Sequence, residues 1–225
     1  MPTDSHAHTR PPQDGSSRPV LCQACSRPME SPLCCASCGA LNPLPPSMFD
    51  YFELFGIPRS YDLDVADLRR RYLALSRSVH PDLVANPSEE TRRRSLQLSS
   101  GLNRAFDTLA DPVLRAEYLL SLAGGPDPAE DKSVPPELLD EVLTLRERID
   151  EAVQSGDEAA LATVRDRVLQ GRVRNLERIV ALCRSAELDQ PPVRRQLRLA
   201  LNAVKYWNNL LDHLPTSSAG APEKR

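Results

Sequence analysis

The chain has 225 residues, 40% of them hydrophobic and 26% charged, which is the balance of a globular protein with one large or two small domains. Its formal net charge of -3 excludes a whole-chain electrostatic clamp for nucleic acid. No apolar run reaches the roughly 18–20 residues that a membrane span needs, and the N-terminus lacks the apolar stretch of a secretory signal, so a cytoplasmic, membrane-free protein is expected.

Residues 1–20 are polar and Pro-rich and are expected to be disordered. Residues 21–44 hold five of the six cysteines. Four of them form the pattern Cys22-x2-Cys25, nine residues, Cys35-x2-Cys38. Two such knuckles let four thiolates converge at tetrahedral geometry with Zn–S distances near ~2.3 Å. In a chain without a secretory signal this clustering favours a metal over disulfides. Gly39 suits a tight knuckle turn that needs positive φ. Cys34 would give the wrong spacing, so Cys35 is taken as the ligand. One zinc per chain is expected; iron on the same ligands stays open, because spacing separates these metals poorly. Four protein ligands would close the site, making it structural, and the metal would supply folding energy that so short a segment lacks. The alternative is a set of redox-active or incidental thiols.

Pro43, Pro45 and Pro46 read as a stiff connector. Beyond it the chain is rich in Leu, Ala, Arg and Glu and shows no strand alternation, so the body is expected to be all-α. "MFDYFELFG" is one or two helical turns stopped at Gly56. Asp64 caps a helix whose face is Val65, Leu68, Tyr72, Leu75 and Val79. His80-Pro81-Asp82 breaks that helix, since Pro81 disfavours helix at His80 and removes a donor. Ser88 caps the next helix, which buries Leu98, Leu102, Ala105, Phe106 and Leu109. The two helices form a hairpin with an eight-residue loop, and "DPVLRAEYLLSLAGG" adds a short helix.

After Pro135-Pro136 a second helical unit starts. Its helices run from about Glu137 to Gln154, from about Asp157 to Glu187, and from Pro191-Pro192 to near Leu214. The last carries an apolar stripe of Val193, Leu197, Leu201, Val204, Leu211 and Leu214. Three helices with short connections suggest a small antiparallel bundle. Cys183 falls on a buried stripe and reads as a core residue. Residues 216–225 form a loose tail.

His-Pro-Asp alone carries little information. Its context adds to it: Arg69, Arg70, Arg71 and Arg77 make the preceding helix basic, ending at a rigid loop with a carboxylate. That suits an acidic protein surface; the bland reading is a solvated Arg face. Here the chain resembles a known family. A short helix, a basic helix, HPD, then a helix ending "LNRAFDTLADPVLRAEYLL" is similar to a J-domain. More narrowly, "MFDYFELFGIPRSYDLD", "ALSRSVHPDLVA", "LNRAFDTLADPVLRAEYLLSLAGG" and "LTLRERIDEA" resemble the HscB-type co-chaperones of iron–sulfur cluster assembly, over residues 48 to about 214. The paired Cys knuckles resemble the zinc-binding extension of eukaryotic members.

The resemblance implies a J-domain over 48–123 and a scaffold-binding helical domain over 134–215. It implies two partners: a DnaK/HscA-type chaperone, whose ATPase the J-domain stimulates, and an IscU-type iron–sulfur scaffold protein. By motif match His80, Pro81 and Asp82 carry the stimulation, and Arg69, Arg70, Arg71 and Arg77 add attraction to the chaperone. The chain departs from common J-domains at Ser78, Val79 and Leu83, which weakens the positive field and suggests a dedicated chaperone. Family members use the helix from Glu137 for the scaffold, at positions matching Leu139, Leu143, Glu147 and Glu151, with Tyr206 as a further match. Asp140 stands where the family often has an apolar residue.

The helical wheel bears on the same face. Successive residues rotate by ~100°. With Leu139 at zero, Leu143 falls near ~40°, Glu147 near ~80° and Glu151 near ~120°. Leu138, Val142, Leu145, Ile149 and Ala152 centre near about -90° and should face the bundle. The two leucines and the acids therefore lie off the core, unless a neighbouring helix or the J-domain covers them. The rival function is a general J-domain co-chaperone delivering unfolded clients. An enzyme is not expected, because no convergent catalytic groups stand out. Nor is nucleic-acid binding, because Arg27 is the one basic residue between Cys22 and Cys38. A monomer is expected.

Overall fold

Short polar side chains start five of the helices, and the two that begin at Pro136 and Pro191 start on proline without a side-chain cap. The carboxylate of Asp50 accepts from the Glu53 N–H at 2.6 Å, Asp64 from Ala66 and Asp67 at 2.9 and 3.1 Å, and Ser88 Oγ from Thr91 at 3.1 Å. Asp111 accepts from Val113 and Leu114, both at 2.8 Å, and Asp157 from Ala160 at 2.9 Å. Each satisfies donors that a helix start leaves unpaired. The helices, in a computed structural model that describes residues 21–29, 33–35, 37–42, 50–80 and 88–215, are α1 (Tyr51–Phe55), α2 (Val65–Val79), α3 (Glu89–Ala110), α4 (Pro112–Leu122), α5 (Pro136–Ser155), α6 (Glu158–Arg184) and α7 (Pro191–His213). The described residues otherwise hold two isolated β-bridges, Leu21 with Pro28 and Cys34 with Leu41. The all-α expectation is met. No helix among the described residues is long and apolar enough to cross a membrane. The N-terminal segment, the connector at Pro43, Pro45 and Pro46, the loop from Pro81 to Pro87 and the tail from Thr216 lie outside the described residues.

Helix α6 ends at Arg184 rather than near Glu187. Ser185 turns to an extended conformation and its Oγ accepts from the Glu187 N–H at 3.1 Å, a local bond that competes with helix continuation.

The chain divides into two compact units, each drawn from two stretches of sequence: Met1–Met48 with Leu75–Ser99, and Phe49–Ala74 with Ser100–Arg225. In the first, Leu33, Leu41, Val79, Ser95 and Leu98 are all buried. Ser95 Oγ donates to the Val79 carbonyl, and Arg94 Nη1 donates to the Leu41 carbonyl at 3.2 Å.

Within the second unit, described residues of α4 to α7 form two of its apolar clusters. Leu138, Leu145, Ile149 and Ala152 of α5, Leu161, Val164 and Val168 of α6, and Ala203, Trp207 and Leu210 of α7 form the core of the expected three-helix bundle. Gly171 lies under Trp207: a Cβ there would stand 2.4 Å from the indole ring. At the other end of the bundle, Ala116 and Leu120 of α4 pack with Ile179, Cys183, Leu197 and Leu201. Polar contacts reinforce this junction. Arg198, 1% exposed, donates to both Glu117 carboxylate oxygens and to the Pro126 carbonyl. Arg115 donates to the carbonyls of Leu109 and Tyr61 at 2.7 and 2.6 Å. Arg184 grips the Asp62 carboxylate at 2.7 and 3.0 Å. Tyr118 stacks on Tyr51 at 4.4 Å and its hydroxyl accepts from the Tyr51 N–H.

Candidate functional site

The two knuckles share one backbone plan. In the first, the Cys22 N–H donates to the Arg27 carbonyl at 2.9 Å and the Ser26 N–H to the Cys22 carbonyl at 2.8 Å. In the second, the Cys35 N–H donates to Ala40 at 3.0 Å and the Gly39 N–H to Cys35 at 2.8 Å. The residue after each second cysteine pair position turns left-handed: Gly39 has φ 69 and Ser26 has φ 56. Glycine adopts this conformation at no steric cost, so Gly39 was legible; Ser26 carries strain that the paired turn imposes. Asn42, 5% exposed, ties the two together: its N–H donates to Leu33 at 2.9 Å, its Oδ1 accepts from Gln23 at 3.3 Å, and its Nδ2 reaches Met29 Sδ at 3.0 Å.

This plan brings four sulfurs together. The Sγ atoms of Cys22, Cys25, Cys35 and Cys38 all lie within 4.8 Å of one another, with Cys22 to Cys38 at 3.6 Å and Cys25 to Cys35 at 3.7 Å. Tetrahedral coordination at ~2.3 Å places sulfurs about 3.8 Å apart, whereas a disulfide needs about 2.0 Å. All six cysteines are free. The donor set therefore fits a four-coordinate metal ion of thiolate preference. Cys34 stands apart, its Sγ 3.9 Å from the Gly39 carbonyl.

Backbone donors favour ionisation at Cys22 and Cys35. The N–H groups of Cys25 and Ala24 lower the Cys22 thiol, and those of Cys38 and Ser37 bring Cys35 down to about 6. At Cys38 the Ala40 N–H favours the thiolate, but hydrogen bonds with Cys22 and Cys25 together with burial outweigh it and push the thiol up to about 12. Four thiols this close cannot all ionise without a cation among them. Cys183 is different: burial in the second apolar cluster of α4, α6 and α7 pushes it up to about 12, as fits an inert core residue.

Of the tripeptide expected to act on a chaperone, His80 is described and exposed, directly after the fully buried Val79; Pro81 and Asp82 lie outside the described residues. Arg69, Arg70, Arg71 and Arg77 are all exposed. Two of them are engaged: Arg70 and Arg71 pair with Asp67 at 2.9 and 2.7 Å, and Arg71 also donates to the Phe55 and Gly56 carbonyls at 3.1 and 3.3 Å. Arg71 thus closes the end of α1 as well as presenting charge. Leu73, 43% exposed, is an apolar spot on α2 outside the expected face, and Val65, expected on that face, is equally exposed at the helix start.

On α5 the wheel places each side chain on the side where the structure has it. Leu138, Leu145, Ile149 and Ala152 are buried, and Val142 packs half-buried against them. Leu139 is 40% and Leu143 59% exposed, so no element among the described residues buries them, and Glu147 and Glu151 are exposed as well. Asp150 pairs with His213 at 3.1 Å, and Val153 adds a third exposed apolar side chain further along α5. Tyr206 is half-buried and packs against the bundle core.

Residues 134–214 match a family model described as the HSCB C-terminal oligomerisation domain. Among solved structures, the human co-chaperone protein HscB is 27% identical with a TM-score of 0.70, over 87% of this chain and 96% of that one. HscB from Vibrio cholerae is 32% identical with a TM-score of 0.60, over 74% of this chain and 95% of its own. The Jac1 co-chaperone of Saccharomyces cerevisiae is 25% identical with a TM-score of 0.53, over 80% of this chain and 99% of the yeast one.

Proposed function

The chain belongs to the HscB co-chaperone family, and from that premise we propose that it couples an iron–sulfur cluster scaffold protein to a DnaK/HscA-type chaperone. Residues 48–123 act as the J-domain and residues 134–215 hold the scaffold. His80, Pro81 and Asp82 stimulate the chaperone's ATPase, with Arg69, Arg70, Arg71 and Arg77 adding attraction. The chain performs no chemistry of its own; it acts in the cytoplasm as a monomer and brings two partners together so that the cluster can be transferred. Cys22, Cys25, Cys35 and Cys38 hold one structural zinc.

One observation carries the scaffold half of this reading: Leu139 and Leu143 stand exposed on α5, off the bundle's apolar stripe and beside Glu147 and Glu151. An exposed leucine pair bordered by acids gives an apolar anchor and a charge pattern that selects its partner. Tyr206 contributes from α7 at the edge of the core. Titration of an IscU-type scaffold into the protein by calorimetry tests it: one scaffold should bind per chain, and the isolated chaperone's ATP turnover should rise only when the protein is added. Absence of any scaffold binding would remove the reading.

A further inference from the structure

The knuckles and the end of the helical hairpin that carries His80 belong to one compact unit, although more than thirty residues separate Leu41 from Val79 in sequence. Arg94 joins them. Its Nη1 donates to the Leu41 carbonyl at 3.2 Å while its Nη2 pairs with Glu90 at 3.0 Å. Leu41 bridges Cys34, next to the ligand Cys35, and stands three residues beyond Cys38. One residue past Arg94, the buried Ser95 donates to the carbonyl of Val79, the last residue of α2 and the neighbour of His80.

From this continuous path we propose that the metal-bearing knuckles brace the hairpin end, so that metal loading sets the order of residues 75–80 and 89–99. A segment of this length has too little core to hold its shape alone, and the metal supplies that shape. With four thiolates on one ion, Leu41 is held where Arg94 can reach its carbonyl. Without the ion, the Leu41 carbonyl is no longer positioned. Arg94 then keeps only an exposed (i, i+4) pair with Glu90, an interaction that contributes little to order. The turn of α3 that carries Ser95 loses its outer support, and with it the hydrogen bond that closes α2. Coupling of this kind is reciprocal: whatever the metal does for the hairpin end, the hairpin end does for metal affinity. The consequence for chaperone stimulation rests on the reading of His80 to Asp82 given above; the brace itself does not.

Hydrogen exchange on the full chain tests the brace, with one equivalent of zinc and after chelation. Chelation should speed exchange of amides in 75–80 and 89–99 by about tenfold or more and leave α5 to α7 unchanged. Arg94→Ala, which removes no ligand, should loosen the same amides with zinc still bound, and should weaken zinc affinity about fivefold or more against a competing chelator. Protection indifferent to zinc would overturn the brace, as would an Arg94→Ala protein with unchanged protection and unchanged zinc affinity. The chaperone reading fails separately: if Asp82→Asn still stimulates the ATPase while protection follows zinc, the brace stands and the chaperone role does not.

Discussion

Glu117 of α4 and Arg198 of α7 form an ion pair across 81 residues of sequence, with the arginine side chain only 1% exposed. Around it the "RAEYLL" stretch divides its work. Arg115 binds backbone carbonyls, Ala116 and Leu120 enter the apolar cluster of α4, α6 and α7, Glu117 holds Arg198, and Tyr118 stacks on Tyr51. This stretch is thus the seam that fastens α4 to the C-terminal bundle.

Removing one partner of such a pair leaves a buried charge uncompensated. We predict that Glu117→Gln lowers unfolding free energy by ~3–5 kcal/mol in chemical denaturation. Glu117→Gln combined with Arg198→Met should cost less than Glu117→Gln alone, because no charge is then left behind. A Glu117→Gln loss below about 1 kcal/mol would mean the pair is solvated.

Gly171 sets two effects against each other. Helix propensity alone favours Gly→Ala by ~0.5–1 kcal/mol. The added Cβ would stand 2.4 Å from the buried ring of Trp207. Overpacking of a rigid aromatic costs ~1–3 kcal/mol, so Gly171→Ala should destabilise, with a lower melting temperature and altered Trp207 fluorescence. A stabilised variant would show that α6 and α7 can separate freely at this point.

Arg184 beside Asp62 holds that carboxyl below the ordinary aspartate range. A folded value lower than the unfolded one gives stabilisation that is complete above the unfolded value and is lost as pH falls through the folded value. Wild type should therefore exceed Asp62→Asn in stability at neutral pH, and the gap should close below about pH 4. A gap that stays constant from pH 7 to pH 3 would rule out the ion pair as its cause.

Much of this was legible from sequence, and what escaped has a common cause. Caps at Asp64 and Ser88, the α5 wheel that sets Leu139 and Leu143 off the core, and the choice of Cys35 over Cys34 all follow from local spacing. Arg198 and Asn202 on α7 are buried among apolar neighbours only because distant groups receive them: Glu117 for the one, the Asp131 and Ser133 carbonyls for the other. The Arg94 contact escaped for a different reason. Its acceptor is the backbone carbonyl of Leu41, which every residue type offers equally. Arg71 reads as surface charge in sequence, yet its guanidinium also closes α1.

For the α5 face, Leu139→Ala with Leu143→Ala should weaken scaffold binding at least about tenfold, or ~1.4 kcal/mol. Both side chains are well exposed, so the melting temperature should hardly change. Unchanged scaffold affinity would place the binding surface elsewhere.

The measurement that bears most directly on the co-chaperone role is chaperone ATP turnover in the presence of Asp82→Asn. The substitution is nearly isosteric and removes one charge from the HPD motif. We predict that stimulation is lost, while scaffold affinity, zinc content and melting temperature remain those of the wild type. Stimulation at the wild-type level by Asp82→Asn would contradict chaperone activation through this motif.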